Sequence, residues 1–398
     1  MLLNLFQRRT VMRKKQKSTC KITVITAAIL LSGVSEASSL EVKSGNDNVN
    51  VNLYGQINRA VMFADDGNEQ KLFHVDNDNS STRLGLNGKV AANESLTVGG
   101  KFEVEWQANP SNKVSMEEES ISGSFNERHM DLYFTLKDIG KLSIGRGDMA
   151  SNGSSEVDLS GTTVAGFSEL DIGRGFAFYD TSGIAVSAED GAQAAARAGY
   201  VGITVNNVFS SMDGLSRRNR VRYDTPTFAG FTVGVAAGEE ERSDLALRYS
   251  NRFGGTKLQA AVAYSNPGER SDYSQVNGST SVLFGFGLNL TLAVGVRDMD
   301  DIPVNGENPA FTYSKIGYKM DLISAGSTAF SFDYGIYENI GTMDAEQEGT
   351  LMGVQFVQKF STYSSELFVA YRNWEVEDKS GAEYEPISIM LAGARIKF

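Results

Sequence analysis

Arginines and carboxylates, not a nucleophile with its base, are the chemically expressive side chains that this sequence groups. Only two histidines occur, His74 and His129. His74 stands near Asp76 and Asp78 and His129 near Asp131, but neither has a clear nucleophile partner, as a hydrolase would require. The chain is therefore read as a non-enzyme. Arg83, Arg220 and Arg222 instead alternate with apolar neighbours: Leu84 and Leu86 around the first, Val221 and Tyr223 around the others. Glu156, Asp158, Glu169 and Asp171 fall together in one later stretch. Fixed charges of opposite sign facing each other across water make no covalent bond. They set a local field and bias which ions dwell between them.

Such charges need a rigid wall, and the rest of the sequence reads as one. Apolar and polar residues alternate with period two, the signal of a half-buried strand, in segments such as 49–57, 96–106 and 292–297. The segments run to about 9–14 residues, longer than common globular strands and near the roughly 9–11 that a tilted strand needs to cross a bilayer. Strands are expected near 49–64, 80–92, 95–107, 127–138, 141–148, 218–225, 229–238, 244–253 and 256–266. Seven more are expected near 279–287, 289–298, 311–323, 327–340, 350–361, 365–377 and 386–398. Short turns alternate with long polar loops, such as 65–79 and 267–278, as in an outer-membrane barrel. The expected fold is all-β: a transmembrane antiparallel β-barrel of 16 strands, with 18 as the alternative. That alternative arises because 149–217 contains strand-like pieces at 176–179 and 200–209.

Charge and hydropathy fit this reading. Residues 1–37 have a basic start, an apolar run of about ten residues from Ile22 to Leu31, and the small pair Ser35 and Ala37, so they read as a cleaved signal peptide. Residues 38–398 are then the barrel. The full chain carries −12. The signal holds seven basic residues against Glu36, so the barrel carries −18 and lacks cysteine, since Cys20 lies in the signal. An acidic chain is not expected to bind nucleic acid. Mean hydropathy is only −0.23, which excludes a helical membrane protein but not a barrel, in which half of each strand is expected to be wet.

Five stretches resemble the Gram-negative general porin family, especially its trimeric proteobacterial branch: residues 52–61, 80–88, 156–162, 219–231 and 393–398. The resemblance implies a 16-stranded barrel, usually a homotrimer. Each protomer would enclose its own aqueous pore, narrowed by a long third loop folded inward. Arg83, Arg220 and Arg222 match positions where the family often places constriction arginines, and Glu156, Asp158, Glu169 and Asp171 would face them from the loop. Arg128 is a further pore candidate, although alternation with Leu132, Phe134 and Leu136 turns it outward unless a bulge shifts the register. Arg59 and Arg146 face outward among apolar residues, where a lipid-exposed arginine costs about 2–4 kcal/mol near the midplane. They are candidates for a subunit contact, with an intersubunit ion pair expected for Arg146. Terminal Phe398 suits the periplasmic aromatic girdle and an assembly signal. The implied function is passive diffusion of ions and small hydrophilic solutes across the outer membrane of a Gram-negative bacterium; a substrate-specific nutrient channel is the alternative. Expected partners are a homotrimer, outer-membrane lipid and lipopolysaccharide. No metal or cofactor is expected beyond divalent cations loosely held at acidic external loops, including Glu117–Glu119, Glu239–Glu241 and Asp298–Asp301.

Overall fold

The computed structural model describes residues 40–43, 49–182, 200–269, 271–300, 307–340, 347–377, 379 and 381–398. The expected signal peptide and Asp301 lie outside them. Sixteen antiparallel strands close a ring. The first eight are β1 (Val49–Asp65), β2 (Arg83–Ala91), β3 (Leu96–Gln107), β4 (Ser124–Leu136), β5 (Gly140–Asp148), β6 (Arg217–Asp224), β7 (Phe231–Gly238) and β8 (Ser243–Phe253). The second eight are β9 (Thr256–Asn266), β10 (Tyr273–Leu283), β11 (Leu288–Met299), β12 (Ala310–Ile323), β13 (Gly326–Glu338), β14 (Glu348–Phe360), β15 (Ser365–Glu377) and β16 (Ile387–Lys397). Each pairs with its neighbour, and β16 returns to β1 with Gln56 opposite Lys397 and Asp65 opposite Ser388. Below that seam, Phe398 and Gly55 exchange both backbone hydrogen bonds, at 3.0 and 2.8 Å. The Phe398 ring lies so close over Gly55 that a Cβ there would stand 2.6 Å from it.

Two short strands pair with β1 outside the ring. Leu40–Lys43 lies along its first half and Gln70–Asp76 along its last. The second corrects the expectation of a long loop over 65–79. The chain pairs through Asp76, turns inward, and pairs again from Arg83. The run Asp76-Asn77-Asp78-Asn79-Ser80 makes that turn from its own side chains: Asn77 Oδ1 accepts from Asn79 N, and Asp76 Oδ1 from Thr82 N at 3.0 Å. A second correction concerns β10, which starts at Tyr273 and not near 279. Its inward residues Gln275, Asn277, Ser279 and Ser281 are polar, so alternation with their small neighbours resembles a loop.

Outward positions are exposed Leu, Val, Ile and Phe, such as Leu84, Phe102, Leu132, Leu247, Val294 and Phe332, forming the apolar band that faces lipid. No helix among the described residues is long and apolar enough to cross a membrane. The strand-like pieces of the third loop settle the count at sixteen. Ala177–Tyr179 and Tyr200–Thr204 pair with each other as a separate two-stranded sheet, not with the wall.

The interior is not uniformly wet. On the side formed by β12–β16 and β1, inward residues are large and apolar: Phe311, Tyr337, Leu351, Phe368, Trp374, Ile389 and Met62. They bury the loop residues Val164, Leu170, Ile172, Phe176, Phe178 and Phe209. Phe209 meets Tyr337 edge-on at 4.9 Å, and Phe73 meets Phe176 at 5.6 Å. The expectation that half of each strand is wet therefore fails here, because the loop covers the wall with its own apolar face.

Candidate functional site

The described parts of the third loop, residues 149–182 and 200–216, run along the inner wall and are tied to it at many points. At its root, Asp244 of β8 accepts from Ala150 N and Ser151 N, while Arg248 donates to Ala150 O and Asn152 O. Along β10, Asn277 donates to the hydroxyls of Ser154 and Ser155, and Ser279 and Ser281 accept from Val157 N and Leu159 N at 2.9 Å. Further round, Lys315 of β12 reaches Asp158 at 2.8 Å and Gly166 O at 2.7 Å. Arg372 of β15 donates to Phe167 O at 2.6 Å and pairs with Asp333 of β13 at 2.9 Å. Gly166 is needed here, since a Cβ would stand 2.8 Å from Arg372 Nη2. Lys315 and Arg372 are essentially fully buried. A charge so placed survives only when paired and hydrogen-bonded, and these two are paired within the loop and wall.

Held this way, the loop leaves a water-accessible cavity of about 660 Å³ against the opposite wall. Strands β2–β4 present interlocked charges there. Arg128 donates to Glu103 and Glu105, both at 2.7 Å, while Arg83 stands 3.8 Å from Glu103 and donates to Ser81 O and Ser80 Oγ. Tyr54 and Lys101 also reach Glu103. Arg128 points inward because of a bulge: Glu103 pairs with His129 and Val104 with Glu127, so Arg128 is the extra residue. A bulge re-aims a side chain in this way.

Facing this wall, the loop and the inward turn contribute Asp78, Glu156, Glu169, Asp171 and Asp213, together with Arg174. Arg174 is ion-paired with Glu169 and lies 3.6 Å from Asp171. Asp213 accepts from Gly153 N and Ser155 N. The remaining carboxylates crowd one another. Burial, then the neighbouring Asp213, pushes Glu156 up to about 8. Burial, then Asp78 and Glu156, holds Asp171 well above the usual carboxylate range. Asp78 is pushed up to about 6, mainly by burial.

Of the residues singled out from the sequence, Arg83, Arg128, Glu156, Glu169 and Asp171 converge on this cavity. Arg220, Arg222 and Asp158 do not. Arg220 is locked onto both Asp131 oxygens, at 3.0 and 2.8 Å, and donates to Asp148 O and Gly145 O. Arg222 grips Asp224 and donates to Met149 O, so it anchors the loop root. Asp158 is spent on Lys315. Parity placed the two arginines on the inner face and the resemblance put Asp158 on the facing loop, but a neighbouring opposite charge takes each of them. Glu105, Arg174, Arg217 and Asp213 line the cavity without having been singled out for it. Glu105 was legible as the inward partner opposite Arg83, since Lys101, Glu103 and Glu105 alternate with Phe102 and Val104. Arg174 and Asp213 lie in irregular backbone that carries no periodic signal.

Arg59 and Arg146 face outward. Arg59 donates to Ala108 O and Arg146 Nε donates to Glu127 O at 3.0 Å. Glu119 of the first acidic run meets Lys71 at 2.9 Å, and Glu240 of the second pairs with Arg242. His74 is exposed, and His129 is buried 3.9 Å from Asp148. Neither hydrogen-bonds a serine or threonine among the described residues.

The fold and the charged, loop-narrowed lumen have counterparts. The anion-selective porin from Comamonas acidovorans is 16% identical over 88% of this chain and 100% of its own, with a TM-score of 0.57. OmpT, an outer-membrane protein of Vibrio cholerae, is 15% identical over 90% of this chain and 100% of its own, with a TM-score of 0.55. The outer-membrane channel DcaP of Acinetobacter baumannii is 12% identical over 90% and 100%, with a TM-score of 0.53. At these identities the likeness concerns the fold. The family model for Gram-negative porins matches residues 23–378, most of the sequence. A closed sixteen-stranded barrel with an apolar outer band and a charged lumen is what that family uses to make channels in the outer membrane. The chain belongs to the Gram-negative porin family.

Proposed function

We propose that each barrel is a passive diffusion pore for ions and small hydrophilic solutes, constricted between β2–β4 and the third loop. The observation that carries this reading is the cavity in which Arg83 and Arg128 face Glu156, Asp171 and Asp213 across open space. Charges opposed across a narrow wet gap act on any ion that passes and need no bound group. Because Glu156 is pushed up to about 8 and burial also raises Asp171, the loop carries less negative charge than its carboxylate count suggests, and selectivity near pH 7 is weak. The reading extends to a homotrimer in which Arg59 and Arg146, too costly to leave in lipid, sit at the subunit contact. It also takes residues 1–37 as a cleaved export signal and Phe398 as the signal for assembly. Purified protein in a planar bilayer under a KCl gradient tests the pore directly. Stepwise conductance with a small reversal potential is expected, and a silent bilayer would overturn the reading. Arg146→Leu should weaken the trimer in native gels; an unchanged trimer would remove Arg146 from the contact.

A further inference from the structure

Next to the central cavity lies a side pocket of about 370 Å³ whose lining includes Arg174, Arg297, Asn206, Asn207, Phe209 and Ser210. Three of these, Arg174, Arg297 and Ser210, also line the central cavity, so the pocket opens into the route through the barrel. It lies toward the end of the barrel that carries the longer loops, which in outer-membrane barrels is the external one. Arg297 is two residues from the end of β11, and the long connection to β12 follows.

The two arginines differ in what they have left to give. Arg174 is taken by Glu169 and Asp171. The Arg297 guanidinium stacks over the Tyr273 ring, 4.8 Å from its centroid, and Nε donates to Gln275 Oε1 at 3.1 Å. Those contacts fix its orientation, while Nη1 and Nη2 have no partner among the described residues. No carboxylate among the described residues lines the pocket. An oriented guanidinium with free terminal nitrogens is a ready receptor for a carboxylate or phosphate, which it can bind through two parallel hydrogen bonds. Beside it, the Asn206 carboxamide makes no hydrogen bond among the described residues, and with Ser210 it offers partners for hydroxyl groups.

We propose that this pocket is an anion-capture site for small hydroxylated organic anions, with the acid group on Arg297 and hydroxyls on Asn206 and Ser210. The site rests on the diffusion-pore reading and adds to it: such solutes dwell at the external mouth before entering the constriction. Tyr273 and Gln275 are positioning residues that hold Arg297 in place.

The test is current block in a planar bilayer, with glucuronate, glucose 6-phosphate or glucose added on the external side in KCl. Both anions should interrupt the current at concentrations where glucose does not, and the stronger of the two identifies the preferred acid group. Arg297→Gln should raise the half-blocking concentration about tenfold, the loss of a charge-assisted hydrogen-bonded contact, read against that variant's own unblocked KCl current. Tyr273→Leu, which frees the guanidinium but keeps its charge, should raise it by less. Equal block by glucose, or Arg297→Gln blocking like the parent protein, would overturn the site. Absence of any conductance in the parent protein would instead count against the pore itself.

Discussion

The two sides of this barrel's interior are built by opposite means. On the side of β12–β16 and β1, apolar side chains of wall and loop are buried against each other, and each of the two buried cations there has a carboxylate partner. On the side of β2–β4, charges remain partly wet and are shared among several partners, with Glu103 alone reached by Arg83, Lys101, Arg128 and Tyr54. The dry side positions the loop, and the wet side uses that position. A loop this long could not hold carboxylates at a fixed distance from a wall by itself, because ordering its backbone costs about 1–2 kcal/mol per residue. Apolar burial and wall-to-loop hydrogen bonds offset that cost.

If this division is right, damage to the dry side should cost stability and damage to the wet side should change selectivity. The largest effect is expected from Arg372→Met, which strands Asp333 as an unpaired buried charge and removes the donor to Phe167 O. Breaking a buried pair from one side costs about 3–5 kcal/mol. The folded barrel should unfold at a visibly lower temperature in a heat-modifiability gel, and its current should become noisy as the loop loosens. Phe178→Ala empties a packed position and should cost about 3 kcal/mol in the same assay, again with a noisier channel. If either variant were as heat-stable as the parent, the dry side would not be what holds the loop.

On the wet side, Arg83→Gln should cost about 1 kcal/mol or less, because its pair is long and partly solvated, yet the reversal potential should move toward potassium. A smaller effect is expected from pH. Glu156 is neutral below its raised value of about 8 and charged above it. As pH rises from 6 to 9 the gap gains negative charge, and cation preference should increase. In Glu156→Gln this part of the pH response should be absent; its persistence would place the titrating group elsewhere. The sign for stability runs the other way: the native state favours the protonated form, so this contribution is present at low pH and is lost as pH rises through 8.

The wall was the most legible part. Alternation located the sixteen strands, and parity turned Arg83 inward and Leu84 and Leu86 outward. Period two ends where the backbone stops being regular. The bulge at Arg128 arises from pairing with β3, and nothing in β4 alone announces it. The turn at 77–82 hides between two strands that look like loop and strand in sequence. Parity also cannot see pairing: Arg220 and Asp131 lie 89 positions apart and meet only once β6 stands against β5 and β5 against β4. The apolar lumen was missed for a related reason. Phe311, Phe368 and Trp374 follow the inward phase, but what they bury is the irregular stretch that carries Phe176, Phe178 and Phe209.

The most direct test is the reversal potential of the Arg83→Gln/Arg128→Gln double variant against the parent protein in a planar bilayer under a KCl gradient at pH 7. With the loop still held by the dry side, Glu105 left without its arginine and Glu103 left with Lys101 and Tyr54, the potential of the folded variant should shift clearly toward potassium. An unchanged potential in a folded double variant would mean that the gap between β2–β4 and the loop does not set selectivity.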